Sequence, residues 1–325
     1  MPRQATAIDG VPRAANEPTS SNDPGMNPDA DFVLTLSCRD RPGIVHAVSG
    51  LLYEAGCNII DSQQFGDLPA ADDAQGLHAT GLFFMRVHFA APAGLASLAA
   101  LQALFEPVRE RFAMDLALHA LARRPRLLLM ASREGHCLND LLFRVRSGQL
   151  HAEVAAIVSN HPDFGPLAAN YGVPFHHLPL AAGAPPAAKA AQEQAVRRLV
   201  EAERIDLVVL ARYMQILSPA FCAFLKGRAI NIHHSFLPSF KGARPYLQAH
   251  DRGVKLIGAT AHYVTADLDE GPIIEQDVAR VDHSLSPEDF AAVGRDVECV
   301  VLARAVRWHV EHRVLMNGPK TVVFR

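Results

Sequence analysis

The sequence predicts an α/β protein in two parts. An N-terminal βαββαβ unit of the ferredoxin-like kind precedes a doubly wound, mostly parallel sheet with helices on both faces. Three observations carry this. The chain has 325 residues, 49% hydrophobic and 20% charged, which is more than one small domain needs and enough apolar mass for a large core. Its first third holds two strand–helix patterns and ends on the alternating run "MDLALHAL". The remainder repeats apolar runs too continuous for a sheet with one wet face, and helical segments separate them.

The elements follow in order. Residues 1–30 carry Pro, Ser, Asn, Asp and Gly throughout and lack the apolar middle of a signal peptide, so they are expected to be a disordered tail, with Met26 a candidate start. "DFVLTLSC" (Asp31–Cys38) reads as a strand. In the next segment Ile44, Val48, Leu51 and Leu52 recur at helical spacing until Gly56. "CNIIDSQQF" and "GLFFMRVHFA" read as strands, and Leu95–Phe112 as a helix that Pro107 is expected to kink or interrupt. This unit covers residues 31–121. "ARRPR" (Ala122–Arg126) marks the boundary, and the second domain covers residues 125–325. Its strands are "LLLMAS", "EVAAIVS", "FHHLPL", "DLVVLARYM" and "AINIH", and Pro186–Arg204 is its clearest helix.

Composition excludes several classes. Formal net charge is −3 and no basic stripe stands out, so nucleic acid is not an expected partner. No apolar run approaches the roughly twenty residues of a membrane span. Five scattered cysteines without a CxxC pair point to reduced thiols and a cytoplasmic protein.

One stretch resists a core or ordinary-loop reading: "NIHHSFLPSFKGARPY" (Asn231–Tyr246), at the carboxyl end of the fifth strand of the second domain. In a doubly wound sheet that is where ligands bind. Side chains alternate along a strand, so Asn231 and His233 project to one side. Further on, "GATAHYVTADLDEGPIIEQD" reads as strand, polar turn and strand, with Asp267, Asp269 and Glu270 close together. An amide, an imidazole and a carboxylate can run acyl chemistry, the amide donating to an oxyanion and the other two handling a proton. Each also has a plainer reading: a turn cap, a satisfied core histidine, a solvated loop. Sixteen histidines, paired at His176–His177 and His233–His234, invite a metal. No HExxH, Cys/His spacing or helical i, i+4 pair supports one, so no metal or other cofactor is expected. Residue types alone leave the chemistry open.

A resemblance narrows it. "NIHHSFLPSF" together with "HYVT" and "LDEGPII", and "VVLARYMQILSP" (Val208–Pro219), resemble the motifs of the folate-dependent formyltransferase family over residues 125–325. The resemblance implies a catalytic set of Asn231, His233 and Asp269. It also implies a folate pocket lined by Arg212, Tyr213, Met214, Gln215, Ile216, Leu217, Thr265, Ala266, Asp267 and Leu268. Within the family it points to the hydrolytic, deformylating branch, which releases formate from 10-formyltetrahydrofolate for purine synthesis and one-carbon balance. His234 stands where the transferases commonly have Pro. Glu134 in "SREGHCLND" is badly placed for a phosphate, although Arg133 softens this, and the chain stops at "KTVVFR" without the extra domain of the tRNA enzymes. The alternatives are formyl transfer to an amine and a catalytically silent folate or amino-acid sensor. Asp269 would act as general base or proton relay, directly or through water, which requires burial or acidic neighbours to raise its pKa. His136 and His234 would face the acceptor side of the cleft.

The N-terminal unit resembles an ACT domain, most clearly in "DRPGIVHAVSGLLYEAGCNI". That implies an amino-acid effector, with glycine and methionine as candidates, held by Asp40, Arg41, Gly43 and Asn58. The alternative role is dimerisation, and its edge strand makes a homo-oligomer the expectation.

Overall fold

Strand pairing closes the N-terminal third into a unit of its own. The computed structural model describes residues 31–68, 79–181, 183–238 and 245–325, so the expected tail lies outside the described residues. β1 (Asp31–Arg39), α1 (Ile44–Glu54), β2 (Asn58–Gly66), β3 (Leu82–Ala90), α2 (Leu98–Phe112) and β4 (Asp115–Ala120) follow in βαββαβ order. The sheet runs β2-β3-β1-β4 with antiparallel neighbours. Its alternation is used on both faces. Phe32, Leu34 and Leu36 of β1 and Phe83, Met85, Val87 and Phe89 of β3 pack on Ile44, Val48 and Leu52 of α1 and Leu101 and Phe105 of α2. α2 begins later than its periodicity suggests, because the Ser97 hydroxyl accepts from the Ala100 N–H and caps it there. Pro107 does not interrupt the helix. It lies on the exposed side, where water can serve the carbonyl that its missing N–H leaves free.

The second part is a sheet of order β11-β10-β9-β8-β5-β6-β7. β5 (Arg126–Ala131), β6 (Glu153–Ser159), β7 (Phe175–His177), β8 (Leu207–Leu210) and β9 (Ala229–His233) are parallel. β10 (Leu256–Tyr263) and β11 (Ile273–Arg280) are antiparallel additions. β7 and β8 are shorter than the runs "FHHLPL" and "DLVVLARYM", since the chain leaves the sheet early in both places. Helices α3 (His136–Arg146), α4 (Gly165–Tyr171) and α8 (Pro287–Val310) cover one face, α5 (Pro186–Ala202) and α6 (Pro219–Phe224) the other. α7 (Pro245–Asp251) packs on α8. α8 opens with a reciprocal cap between Ser286 and Asp289. A closing hairpin, β12 (Val314–Asn317) and β13 (Lys320–Val323), follows it. No helix among the described residues is long and apolar enough to cross a membrane.

The second face of the N-terminal sheet is covered by the C-terminal part. Arg86 of β3 is buried between Asp61 and the Glu311 carbonyl. Asn317 is buried, accepts from the Thr80 hydroxyl and donates to Asp67. The His119 and His312 rings stack 3.5 Å apart, and His309 accompanies them, bonded to the Tyr263 hydroxyl. Burial, reinforced by neighbouring cations and histidines, pushes His119 and His309 down to about 4 and His312 to about 3.

These three imidazoles stay neutral in the fold while the unfolded chain takes up protons near pH 6.5. Between about pH 6.5 and 4 the unfolded state therefore binds more protons, and stability falls as pH falls. The Tm should drop across that window, and His312→Asn, which tolerates the φ of 55° at this position, should flatten the curve. Identical Tm-against-pH slopes in the two proteins would remove the cluster from the pH response.

Candidate functional site

Asn231 and His233 leave β9 on the same face, as alternation requires. β10 runs antiparallel beside them, placing His262 opposite Asn231 and Thr260 opposite His233. Asn231 Nδ2 lies 3.3 Å from His262 Nε2, and His262 Nδ1 lies 2.9 Å from the Tyr263 carbonyl. A carbonyl only accepts, so His262 carries a proton on Nδ1, and its Nε2 faces both the Asn231 amide and the Asp269 carboxylate. That orients the Asn231 amide and leaves its second N–H for a ligand. His262 was missed by the sequence reading. Its only signal is an imidazole within the alternating run "GATAHYV", and that has no meaning until the β9–β10 register is known.

Asp269 comes from the turn between β10 and β11. Within the turn the Thr265 hydroxyl and the Glu270 N–H both donate to the Asp267 carbonyl, and the Tyr263 N–H donates to Pro272. Gly271 presses so close that an added Cβ would fall 1.7 Å from the Tyr263 oxygen. Asp269 itself takes a φ of 57°. This brings Oδ2 to 3.2 Å from His233 Nδ1 and Oδ1 to 3.6 Å from His262 Nε2. The expected rise in its pKa is not what the surroundings produce. Burial does push it up, but hydrogen bonds and charge interactions with His233 and His262 outweigh burial and hold it below the usual carboxylate range. Asp267 and Glu270 are exposed, and the groups found against the carboxylate are imidazoles. His233 is buried, and its Nε2 has no hydrogen-bond partner among the described residues.

Beside these groups opens a cavity of about 310 Å³. Arg212, Tyr213, Met214, Gln215, Ile216, Leu217, Thr265, Ala266, Asp267 and Leu268 all line it, with Asn231, His233, His234 and Asp269. The exposed side chains of Met214, Ile216 and Leu268 give its mouth apolar surfaces suited to a flat ring. Tyr213 belongs mainly to the core, its hydroxyl donating to Gln192. The loop after β8 is tied to β5: the Ser132 N–H donates to the Arg212 carbonyl and the Met214 N–H to the Ser132 hydroxyl. Arg212 takes a φ of 65° there.

His136 is not on this wall. It meets Glu298 of α8, with Nε2 2.8 Å from Oε2. Glu298 is fully buried, accepts from the Tyr246 hydroxyl at 2.5 Å, and has Arg212 Nε 3.4 Å away. Burial alone would raise its pKa, but these three partners hold it below its ordinary value. His136, Cys137 and Glu298 also place three potential metal-binding atoms within 4.8 Å of one another. The donor set fits a metal poorly. Glu298 is already claimed by a guanidinium and two other hydrogen-bonding groups, and the Cys137 thiol, hydrogen-bonded to Cys299 and buried, is pushed well above its usual pKa.

In the N-terminal unit Asp40, Arg41 and Gly43 line a shallow pocket with Val45, His46 and Ser49. The Arg41 guanidinium donates to the Arg111 carbonyl and lies 4.5 Å over the Phe112 ring. Asn58 does not join them. Its β-partner is Ala90, which pairs with Asp31, so Asn58 stands at the opposite end of the sheet from Asp40.

Residues 125–306 match the model of the formyl transferase family, and residues 32–100 that of the ACT domain. A formyltetrahydrofolate deformylase of Corynebacterium sp. (strain P-1) is 47% identical over 92% of this chain and 100% of its own. The crystal structure of a formyltetrahydrofolate deformylase from Burkholderia mallei superposes with a TM-score of 0.82 at 54% identity, covering 91% of this chain and 100% of that one. The crystal structure of a glycinamide ribonucleotide transformylase from Symbiobacterium toebii matches 62% of this chain and 95% of its own, with a TM-score of 0.58 and 31% identity.

Gly271→Ala tests the turn geometry. The new Cβ cannot coexist with the Tyr263 oxygen, so the turn must move and carry Asp269 with it. The variant should lose roughly 1–3 kcal/mol of stability, typical of overpacking. Its crystal structure should show the His233–Asp269 contact lengthened. An unchanged contact and Tm would mean that the turn does not position the carboxylate.

Proposed function

This chain belongs to the formyltetrahydrofolate deformylases of the formyl transferase family, and from that premise we propose how its residues perform the reaction. The protein is a hydrolase that cleaves 10-formyltetrahydrofolate to formate and tetrahydrofolate. The observation that carries the mechanism is the buried His233, a residue lining the cavity, with Nδ1 on Asp269 and Nε2 without a hydrogen-bond partner among the described residues.

The folate ring would lie against the apolar segments 212–217 and 265–268, with its formyl carbonyl at the Asn231 amide. Water attacks the formyl carbon and His233 Nε2 takes its proton. Asp269, ionised and on Nδ1, keeps the ring in the correct tautomer and stabilises the imidazolium, the logic of a hydrolytic triad. Asn231 donates to the oxyanion, and His262 holds the amide in the orientation that allows it. On collapse the C–N10 bond breaks, His233 returns its proton to N10, and formate leaves. With its pKa lowered, Asp269 is a poor direct base. It acts through His233.

Release of formate without any acceptor tests this scheme. Asp269→Asn should reduce kcat at least a hundredfold. Asn231→Ala should cost about 2.7–4 kcal/mol of transition-state stabilisation, expressed in kcat rather than KM. Near-normal turnover by either variant would take that residue out of the mechanism.

The ACT domain supports regulation by a small-molecule effector, and we take glycine and methionine as candidates because their metabolism loads and consumes one-carbon units. Asp40 and the backbone around Gly43 would receive the amino acid. A physical route from this domain to the site exists. Asp67 and Thr80 bond Asn317 of the closing hairpin, and Thr321 of that hairpin donates to the Ile273 carbonyl beside the Asp269 turn. An outer edge strand, β2, carrying exposed Ile59, Ile60 and Phe65, would pair copies of the chain into a homo-oligomer. Five free cysteines are in keeping with the cytoplasm, and a role in supplying formate for purine synthesis follows from the product.

Glycine or methionine should therefore change kcat or KM of the full chain, and Asn317→Ala should abolish the change while leaving effector-free turnover intact. If calorimetry finds that neither amino acid binds, the domain is a pairing element instead.

A further inference from the structure

A deformylase faces a selectivity problem that its own catalytic groups do not solve. Asn231, His233 and Asp269 would serve an attacking amine as well as they serve water, and an amine is the better nucleophile. The similar fold of a glycinamide ribonucleotide transformylase shows that this framework also suits an enzyme named for transfer. Something beyond the catalytic set must restrict this site to water.

Arg212 and His234 line the cavity. Behind them stand groups that do not line it. His234 packs between His233, 5.1 Å away between ring centroids, and Tyr246, 6.2 Å away. Tyr246 lies so tightly on α8 that a Cβ at Gly294 would fall 2.1 Å from its ring. One turn further along α8, Glu298 takes the Tyr246 hydroxyl, His136 Nε2 and the approach of Arg212. We propose that this Glu298-centred assembly is a specificity wall: Tyr246, His136, Arg212 and His234 fill the space beside the catalytic set that an amine would need. The inference rests on the reading of Asn231, His233 and Asp269 as the catalytic groups.

Its chemistry suits water as well as its shape does. Arg212 Nη1 is buried and has no hydrogen-bond acceptor among the described residues, while Nε lies 3.4 Å from Glu298 Oε2. A guanidinium offers only donors. Water can accept from such a donor with one lone pair and attack with the other. A neutral amine has one lone pair, and using it as an acceptor removes its nucleophilicity. A protonated amine is repelled by the guanidinium and cannot attack. Burial, with Arg212 as the next cause, pushes His234 down to about 4, so at neutral pH it adds bulk without a charge to attract a counter-ion.

The test is the fate of the formyl group when excess glycinamide is present. Attack by its amine on the formyl carbon would break the same C–N10 bond, pass a proton to N10 and yield N-formylglycinamide in place of formate. The wild-type chain should give formate alone. Tyr246→Ala and His136→Ala should each give N-formylglycinamide, its share rising in proportion to amine concentration and at least tenfold above the wild-type background. His136 is partly exposed at the start of α3, so its removal leaves the core filled and keeps the test valid if Tyr246→Ala does not fold. The wall is overturned if the wild type transfers to glycinamide, or if the folded variants hydrolyse and never transfer. It is also overturned if a folded His136→Ala loses hydrolysis without gaining transfer, because the assembly would then only support the catalytic groups. Failure of the mechanism itself would appear separately, as normal formate release by Asp269→Asn.

Discussion

The Asp269 carboxylate is held between two imidazoles on a left-handed backbone that an L-residue adopts at a cost of order 1–3 kcal/mol, and the neighbouring structure exists in the form that keeps it there. Gly271 lets the returning chain lie against the Tyr263 carbonyl. The antiparallel pairing of β9 with β10 puts His233 and His262 on the side from which they reach the two carboxylate oxygens. Each imidazole bonded to Asp269 favours its ionised form, and together they defeat the burial that would otherwise neutralise it. The partly buried Asp269 is thus held as a negative charge against His233 Nδ1.

The sheet divides the labour. Its parallel strands end in loops, as doubly wound sheets do, and the loop after β8 supplies the long apolar wall of the cavity. Loops alone would hold an acid–base pair loosely. The switch to antiparallel pairing at β9 and β10 fixes the polar groups by register instead: Asn231 meets His262 because they are cross-strand neighbours, and one residue of slip would turn both away. The loops supply most of the cavity lining, the strands supply Asn231, His233 and His262, and the turn after β10 supplies Asp269.

How far this was legible in the sequence depends on the distance over which each feature is determined. The βαββαβ order, the apolar runs of the parallel sheet and the placing of Asn231 with His233 are local, set by periods of two and 3.6. Residues 212–217 and 265–268 lie together in the cavity as the motif resemblance implied. His262, the Glu298 assembly and the lowered pKa of Asp269 were not legible. Each depends on a contact between segments far apart in the chain, Asn231 with His262 or His136 with Glu298, which no window reports. Asn58 went the other way: close to a promising loop in sequence, it is carried by its antiparallel strand to the far end of the sheet. α8 and the hairpin after it were not singled out either, although Ser286 and Asp289 are a recognisable cap.

α8 joins what the two domains do. It is 24 residues long, about 36 Å at the rise of an α-helix. Near its middle Gly294 and Glu298 seat Tyr246 and gather Arg212 and His136 near the cavity. Its last turn and the residues just beyond it carry His309, Glu311 and His312 into the face of the N-terminal sheet, against His119 and Arg86. The helix is capped at its start and packed against the sheet, so its site end and its interface end belong to one continuous element. A buried glutamate in the middle of a helix is costly unless every oxygen is answered. Here the partners come from α3, α7 and the loop after β8, so Glu298 locks three segments of the catalytic domain to the same rod that the N-terminal domain grips at its end.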